Sequence, residues 1–238
     1  MIPLLTHIPA MGGTGGTMAT AAKAYKGLPM EGVIATWYTR NTGRDMRRFT
    51  HTARVVADRV APGSAVLEVA PGPGFLAIEL ARRGYRMTTL DISHTFVRIA
   101  RENAAKSGVP VDVRHGNASA MPLGEASFDY VVCVAAFKNF TDPLGAINEM
   151  HRVLKPGGEA SIFDLRKDAS LLDIAAEVRD MHLSAVDAFL TRLIFRHGLL
   201  RAAYTRQQLD RMAAESRFGR HEVVSSGIGL EMRLIKDA

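Results

Sequence analysis

The sequence predicts one α/β domain on a doubly wound, mostly parallel seven-stranded sheet. It adds an N-terminal helical segment and a helical insert between the fifth and sixth strands. Three observations carry this. Short apolar runs alternate with amphipathic helical stretches over residues 65–164, a pattern that buries a parallel sheet between two helical layers. The first run ends in a glycine-rich turn that opens directly into a helix. A long helical stretch at 168–216, with no strand signal, then separates these runs from two final strand candidates.

Residues 1–28 read as a flexible leader, with four glycines in residues 12–16, and residues 29–238 as a single domain. Met46, Phe49, Ala53, Val56, Ala57 and Val60 recur at helical spacing over 44–60, and Pro62-Gly63 ends that helix. Strands are expected at Ala65–Ala70, Arg86–Leu90, Pro110–Arg114, Phe128–Val134 and Glu159–Asp164, with helices near 75–83, 94–107 and 143–154. Asp142 is a suitable N-cap for the last of these, with Pro143 at its first position. Thr205 followed by Gln208 forms a capping box that opens the final helix of the insert. His221–Ser225 and Leu230–Lys236 close the sheet.

With 238 residues, 47% hydrophobic and 23% charged, the chain has the composition of a globular domain and excludes disorder or coiled coil as a description of the whole. One cysteine, Cys133, excludes an internal disulfide framework. No stretch reaches the ~20 apolar residues a membrane span requires, and the N-terminus lacks a secretory pattern, so a cytoplasmic protein without membrane partners is expected. The net charge is +6, and most of it lies in residues 1–60, where eight cations face three acids.

Gly72 and Gly74 let the backbone after the first strand turn sharply and approach a ligand. Asp91 ends the second strand, where an acid grips ribose hydroxyls. Gly72, Gly74 and Ala77 also satisfy a nicotinamide dinucleotide spacing. However, Glu68 lies inside the same crevice, where a diphosphate would be repelled and an ammonium group held. A purely structural turn is the remaining alternative.

Val66-Leu67-Glu68-Val69-Ala70-Pro71-Gly72-Pro73-Gly74 resembles the first motif of the class I S-adenosylmethionine-dependent methyltransferases. Asp91 resembles their ribose-binding acid, Gly116-Asn117-Ala118 their adenine loop, Phe128–Val132 their fourth strand, and Arg152–Gly158 their turn into the fifth. Ala70 stands where the family usually has glycine, and Asn117 where aspartate is commoner. The resemblance spans roughly residues 60–165 and implies a Rossmann-like fold. It also implies S-adenosylmethionine as cofactor, with S-adenosylhomocysteine as product. Glu68, Ala70, Pro71, Gly72 and Gly74 would hold the methionine end and Asp91 with Ile92 the ribose. Asn117 and Ala118 would hold the adenine, Cys133 would line the pocket, and Tyr38 with Arg40 would close over the methionine carboxylate.

The acceptor is expected to be a small molecule. Phe137, Lys138 and Asn139 follow the fourth strand, where they would face the methyl group, and His182 and Arg196 lie in an insert that would act as a lid. An RNA methyltransferase using a basic helix over 40–59 as a phosphate track is an alternative. A non-catalytic cofactor-binding protein on the same fold is another. The sequence leaves monomer and homodimer open.

Overall fold

The computed structural model describes residues 25–26, 30–42, 46–181, 184–196 and 200–238. Apart from Tyr25 and Lys26, most of the expected leader lies outside them. Seven strands form one sheet in the order β3-β2-β1-β4-β5-β7-β6. They are β1 (Ala65–Val69), β2 (Arg86–Asp91), β3 (Val111–His115), β4 (Phe128–Val134), β5 (Leu154–Leu165), β6 (Arg220–Ser226) and β7 (Gly229–Ile235). The first five are parallel. β7 runs antiparallel to β5, and β6 antiparallel to β7. Strand order reverses between β1 and β4, and the carboxyl edge there is where open α/β sheets bind ligands.

Helices cover the sheet because each carries one apolar stripe. On one face α2 (Arg47–Ala57) and α3 (Phe75–Arg82) bury Ala53, Val56, Leu76 and Leu80 against Val66, Tyr130 and Val132. On the other, α5 (Pro143–Val153) buries Ala146, Ile147 and Met150 against Leu67, Val131 and Ile162. α4 (His94–Lys106) packs Val97 and Ala100 on Val113 of β3. Local capping follows the sequence. The Asp142 side chain accepts from the Gly145 N–H at 2.9 Å, with Pro143 in the first turn. Thr205 and Gln208 cap α8 (Arg206–Glu215) reciprocally, each such cap being worth about 1 kcal/mol.

Two expectations change. Over the basic stretch expected as one helix at 40–59, the described residues form two elements, α1 (Gly32–Thr42) and α2. Arg59, just beyond α2, turns onto the sheet, where its guanidinium donates to Ser161 Oγ at 2.7 Å and to Glu231 Oε2 at 3.0 Å. That arginine serves the fold rather than a phosphate track.

The insert is also shorter than 168–216. α6 (Leu171–Asp180) and α7 (Ala185–Ile194) form a hairpin with its own small core of Ile174, Val178, Phe195, Leu200 and Ile228. α8 instead sends Leu209 and Ala213 into the main core beside β6 and β7. Helical periodicity looks the same whichever surface it meets, so the sequence does not separate the two.

Candidate functional site

A cavity of roughly 290 Å³ opens at the carboxyl edge between β1, β2 and β4. Its floor is the 68–73 turn, and Asp91, Ile92, Asn117 and Ala118, the residues expected to hold the adenosine, also line it. The turn is tight because alternate residues take left-handed backbone: Ala70 at φ 54°, Gly72 at 56° and Gly74 at 77°. Ala70 carries a Cβ there, a conformation that costs an L-residue about 1–2 kcal/mol. Its N–H is nonetheless fixed to Leu90 O at 2.8 Å, which holds the turn against β2. Gly74 does not line the cavity. It starts α3, and a Cβ there would stand 3.1 Å from Ala100 Cβ, so it sets how closely α3 and α4 approach.

Glu68 is almost fully buried on the cavity floor, and its Oε2 has no hydrogen-bond partner. Burial lifts its carboxyl to about 8, opposed by the Ala77 N–H and reinforced by the charge of Asp91. A buried orphan oxygen of this kind suits a ligand cation, and the ammonium of S-adenosylmethionine is such a group. Asp91 accepts from Gly72 N–H at 3.1 Å and from Ser93 N–H at 2.9 Å. Burial nevertheless raises it to about 6. Each oxygen keeps a lone pair for a ribose hydroxyl. Asn117 spends its Oδ1 on the Ser119 N–H at 3.0 Å, which shapes the adenine loop. These residues fit the cofactor.

The N-terminal segment roofs the cavity, and sequence reasoning missed most of it. Tyr25 pairs with Phe140 in an antiparallel bridge, and Lys26 N–H donates to Asn139 O at 2.7 Å. Tyr25 lines the cavity with Tyr38, Phe49, Asn139 and Phe140. Burial raises its hydroxyl, as do the charge of Asp91 and the nearby Tyr38, while a hydrogen bond with the Asn139 side chain opposes this. Further along, Glu31 accepts the His94 and Thr95 N–H groups at 2.9 and 3.0 Å. Ser93 Oγ donates back to Met30 O at 2.7 Å. Glu31 thereby caps α4 from 63 residues away, which no local pattern signals. Tyr38 stands edge-on to Phe96 above Gly72, with centroids 5.8 Å apart.

Five of the sequence candidates fall elsewhere. Cys133 points into the core and does not line the cavity, and burial pushes its thiol up, which leaves it inert. Phe137 is fully buried in the same core. Lys138 donates Nζ to Asp164 Oδ1 at 2.8 Å and to Ala135 O at 2.7 Å, so its charge is met internally. Arg196 is exposed beyond α7, and Arg40 is exposed on α1; neither lines the cavity. His182 lies outside the described residues. Alternation in β4 turns Cys133 and Val132 toward the two helical layers, and of its residues only the last, Val134, reaches the cavity, followed by Ala135 and Ala136 beyond the strand.

Comparison with known proteins agrees with this geometry. Residues 67–162 match the family model described as a methyltransferase domain. The chain is similar to a ubiquinone biosynthesis O-methyltransferase of Xanthomonas campestris pv. campestris (strain B100), 34% identical over 122 residues, covering 50% of this chain and 51% of that one. It is also similar to a demethylmenaquinone methyltransferase of Listeria monocytogenes serotype 4a (strain HCC23), 35% identical over 111 residues, 44% of this chain and 46% of that one. The chain thus spans about half the length of the curated relatives it matches.

Among solved structures, a protein assigned as an S-adenosyl-L-methionine-dependent methyltransferase from Methanococcus maripaludis shares the fold. Its TM-score is 0.70 at 18% identity, over 93% of this chain and 98% of that one. The [4+2]-cyclase SpnF shares it too, with a TM-score of 0.58 at 20% identity over 79% and 80%, so the architecture alone leaves the reaction open. Residues 67–162 thus match a methyltransferase domain, on a fold shared with S-adenosylmethionine-dependent methyltransferases. S-adenosylmethionine is the cofactor of that class.

Proposed function

We propose that this protein methylates a small, uncharged aromatic acceptor bearing a hydroxyl or other nucleophilic atom. One observation carries the reading. Beyond the cofactor turn the cavity is walled by Tyr25, Tyr38, Phe49 and Phe140, and its charged lining among the described residues is only acidic: Glu31, Glu68 and Asp91. An anionic acceptor would find no cation among these lining side chains to pair with, and the acids would disfavour it. Aromatic walls favour a planar ring. The names of the two curated relatives, which concern ubiquinone and menaquinone, support an acceptor of this shape.

When bound, S-adenosylmethionine supplies an electrophilic methyl group that an aligned nucleophile displaces from sulfur. Glu68 holds the ammonium end and Asp91 the ribose, which fixes where the methyl group points. The Tyr25 hydroxyl and the Asn139 amide orient the acceptor and leave little room for water. Alignment is worth ~7–11 kcal/mol in the best intramolecular cases; a hydroxyl acceptor also gives up its proton to solvent as the new O–C bond forms and the C–S bond breaks.

Calorimetric titration with S-adenosylhomocysteine, and separately with NADH, tests the cofactor. A panel of neutral dihydroxybenzenes against their carboxylated counterparts, each with S-adenosylmethionine, tests the acceptor. Micromolar S-adenosylhomocysteine binding and methylation of the neutral set are expected. Binding of NADH alone, or preference for the carboxylates, refutes the reading.

A further inference from the structure

The α6–α7 hairpin holds seven of the twelve large hydrophobic residues exposed among the described residues. On α7 they form a stripe: Val186, Phe189, Leu190 and Leu193, at 69%, 61%, 42% and 40% exposure. Their spacing of three, four and seven places them on one side of the helix. The opposite side is apolar too, with Ala188 and Phe195 packed on Ile174 and Val178 of α6. α7 is therefore a helix with two apolar faces, only one of which is packed in a core cluster among the described residues. Leu171 and Leu172 open α6 at 61% and 82% exposure. They extend the apolar surface from the end of the hairpin where Ile174 meets Phe195.

Charge selects the partner. Arg192 and Arg196 lie four residues apart along the Phe189 margin of the stripe, both exposed and neither ion-paired among the described residues. Two like charges at this spacing repel each other unless an anion meets them. The acid on the same helix, Asp187, accepts from Ser184 Oγ at 2.7 Å at the N-terminus and is not available to them. Asp180, at the end of α6, is the exposed acid nearest in sequence to the α6–α7 turn. A two-fold antiparallel contact with a second copy would set the arginine margin against itself. An anionic lipid surface meets both needs: acyl chains for the stripe, and head groups for arginines whose stems lie along it.

We infer that the outer face of the α6–α7 hairpin docks this protein onto anionic lipid bilayers. No helix among the described residues is long and apolar enough to cross one, so the contact is peripheral. The hairpin's feet, Arg166 and Tyr204, are bridged to each other. The Tyr204 hydroxyl accepts from Lys26 Nζ at 2.7 Å, and its ring lies 5.9 Å from that of Phe137, so docking brings a bilayer beside the cavity roof. That the cavity would draw a lipophilic acceptor from the bilayer rests on the proposed function; the docking itself does not.

The test is co-sedimentation of the full chain with phosphatidylcholine vesicles, with and without phosphatidylglycerol, alongside sizing chromatography across a concentration range. The wild type is expected to partition onto the phosphatidylglycerol vesicles and not onto pure phosphatidylcholine. F189E with L193E should abolish that, and R192Q with R196Q should weaken it about thirtyfold. All four positions are exposed, so folding by circular dichroism and S-adenosylhomocysteine binding should be unchanged. Loss of cofactor binding in the wild type would strike the proposed function and leave the lipid result standing. Absence of vesicle binding overturns the inference. A concentration-dependent dimer that F189E with L193E dissociates, without lipid binding, assigns the face to a second copy instead.

Discussion

The Gly72 amide donates to Asp91 Oδ2 at 3.1 Å, which ties the turn after β1 to the tip of β2. Asp91 Oδ1 takes the Ser93 N–H at 2.9 Å, so the same carboxylate also anchors the start of α4. Asp91, the acid proposed to grip the ribose, is thus a structural joint between three segments that line the cavity.

Asp91→Asn keeps the shape but replaces one acceptor oxygen with a donor facing an N–H group. It is expected to lower stability by about 1–3 kcal/mol in urea denaturation and to weaken S-adenosylhomocysteine at least about tenfold. A variant that loses affinity at full stability would show that the joint contributes nothing.

Glu68 couples the cofactor to protons. Its carboxyl titrates near 8 in the empty site because of burial, so it is largely protonated at neutral pH. A ligand ammonium stabilises the carboxylate and draws the proton off, so affinity should rise between pH 6 and 8. At pH 7, calorimetry in buffers of different ionisation enthalpy should report net proton release, and Glu68→Gln should remove it. Without ligand the sign is opposite. The folded state holds a proton that the unfolded chain loses above about 4.5, so this group's contribution to stability falls as pH rises toward 8. Glu68→Gln should therefore flatten the decline in melting temperature over that range.

Ala70 pays a backbone cost at φ 54° that glycine would not. Ala70→Gly should be neutral to stabilising, by up to about 1 kcal/mol, because the strain relieved exceeds or matches the added freedom of the unfolded chain. Ala77→Gly, in the buried interior of α3, should destabilise by about 1 kcal/mol or more. Paired chemical melts decide this, and equal losses in both would mean Ala70 is unstrained.

Arg59 bridges β4, β5 and β7 through Tyr130, Ser161 and Glu231 from the end of α2. Tyr130 is itself pushed up to about 12 by burial. Arg59→Lys cannot make the forked contact and should cost about 1–3 kcal/mol. Affinity for single-stranded RNA, if any, should be unaffected, since the guanidinium faces the sheet. A stable variant with altered RNA binding would overturn this purely structural role for Arg59.

Several features were readable because they are local. The Asp142 and Thr205 caps, the strand runs and the glycine turn each depend on neighbours within a few residues, and each formed where expected. Glu68 and Asp91 were legible from their spacing around Gly72. Tyr25 was not: it lies in a stretch that resembles a leader, and only its bridge to Phe140, far along the chain, places it in the cavity. Lys138 looked available because its partner Asp164 sits 26 residues on, at the end of the neighbouring strand.

By itself the sequence determined the alternation of strands and helices and the glycine turn flanked by Glu68 and Asp91, because hydrophobic period and backbone permissiveness act at short range. The tertiary structure decided which faces meet. It turned Cys133 and Phe137 inward, neutralised Lys138, and sent α8 to the sheet while leaving α7 with a bare apolar side. It also drew Tyr25, Glu31 and Phe49 over the cavity. Those outcomes depend on contacts between residues distant in the chain, where burial and charge are settled only once the sheet is assembled.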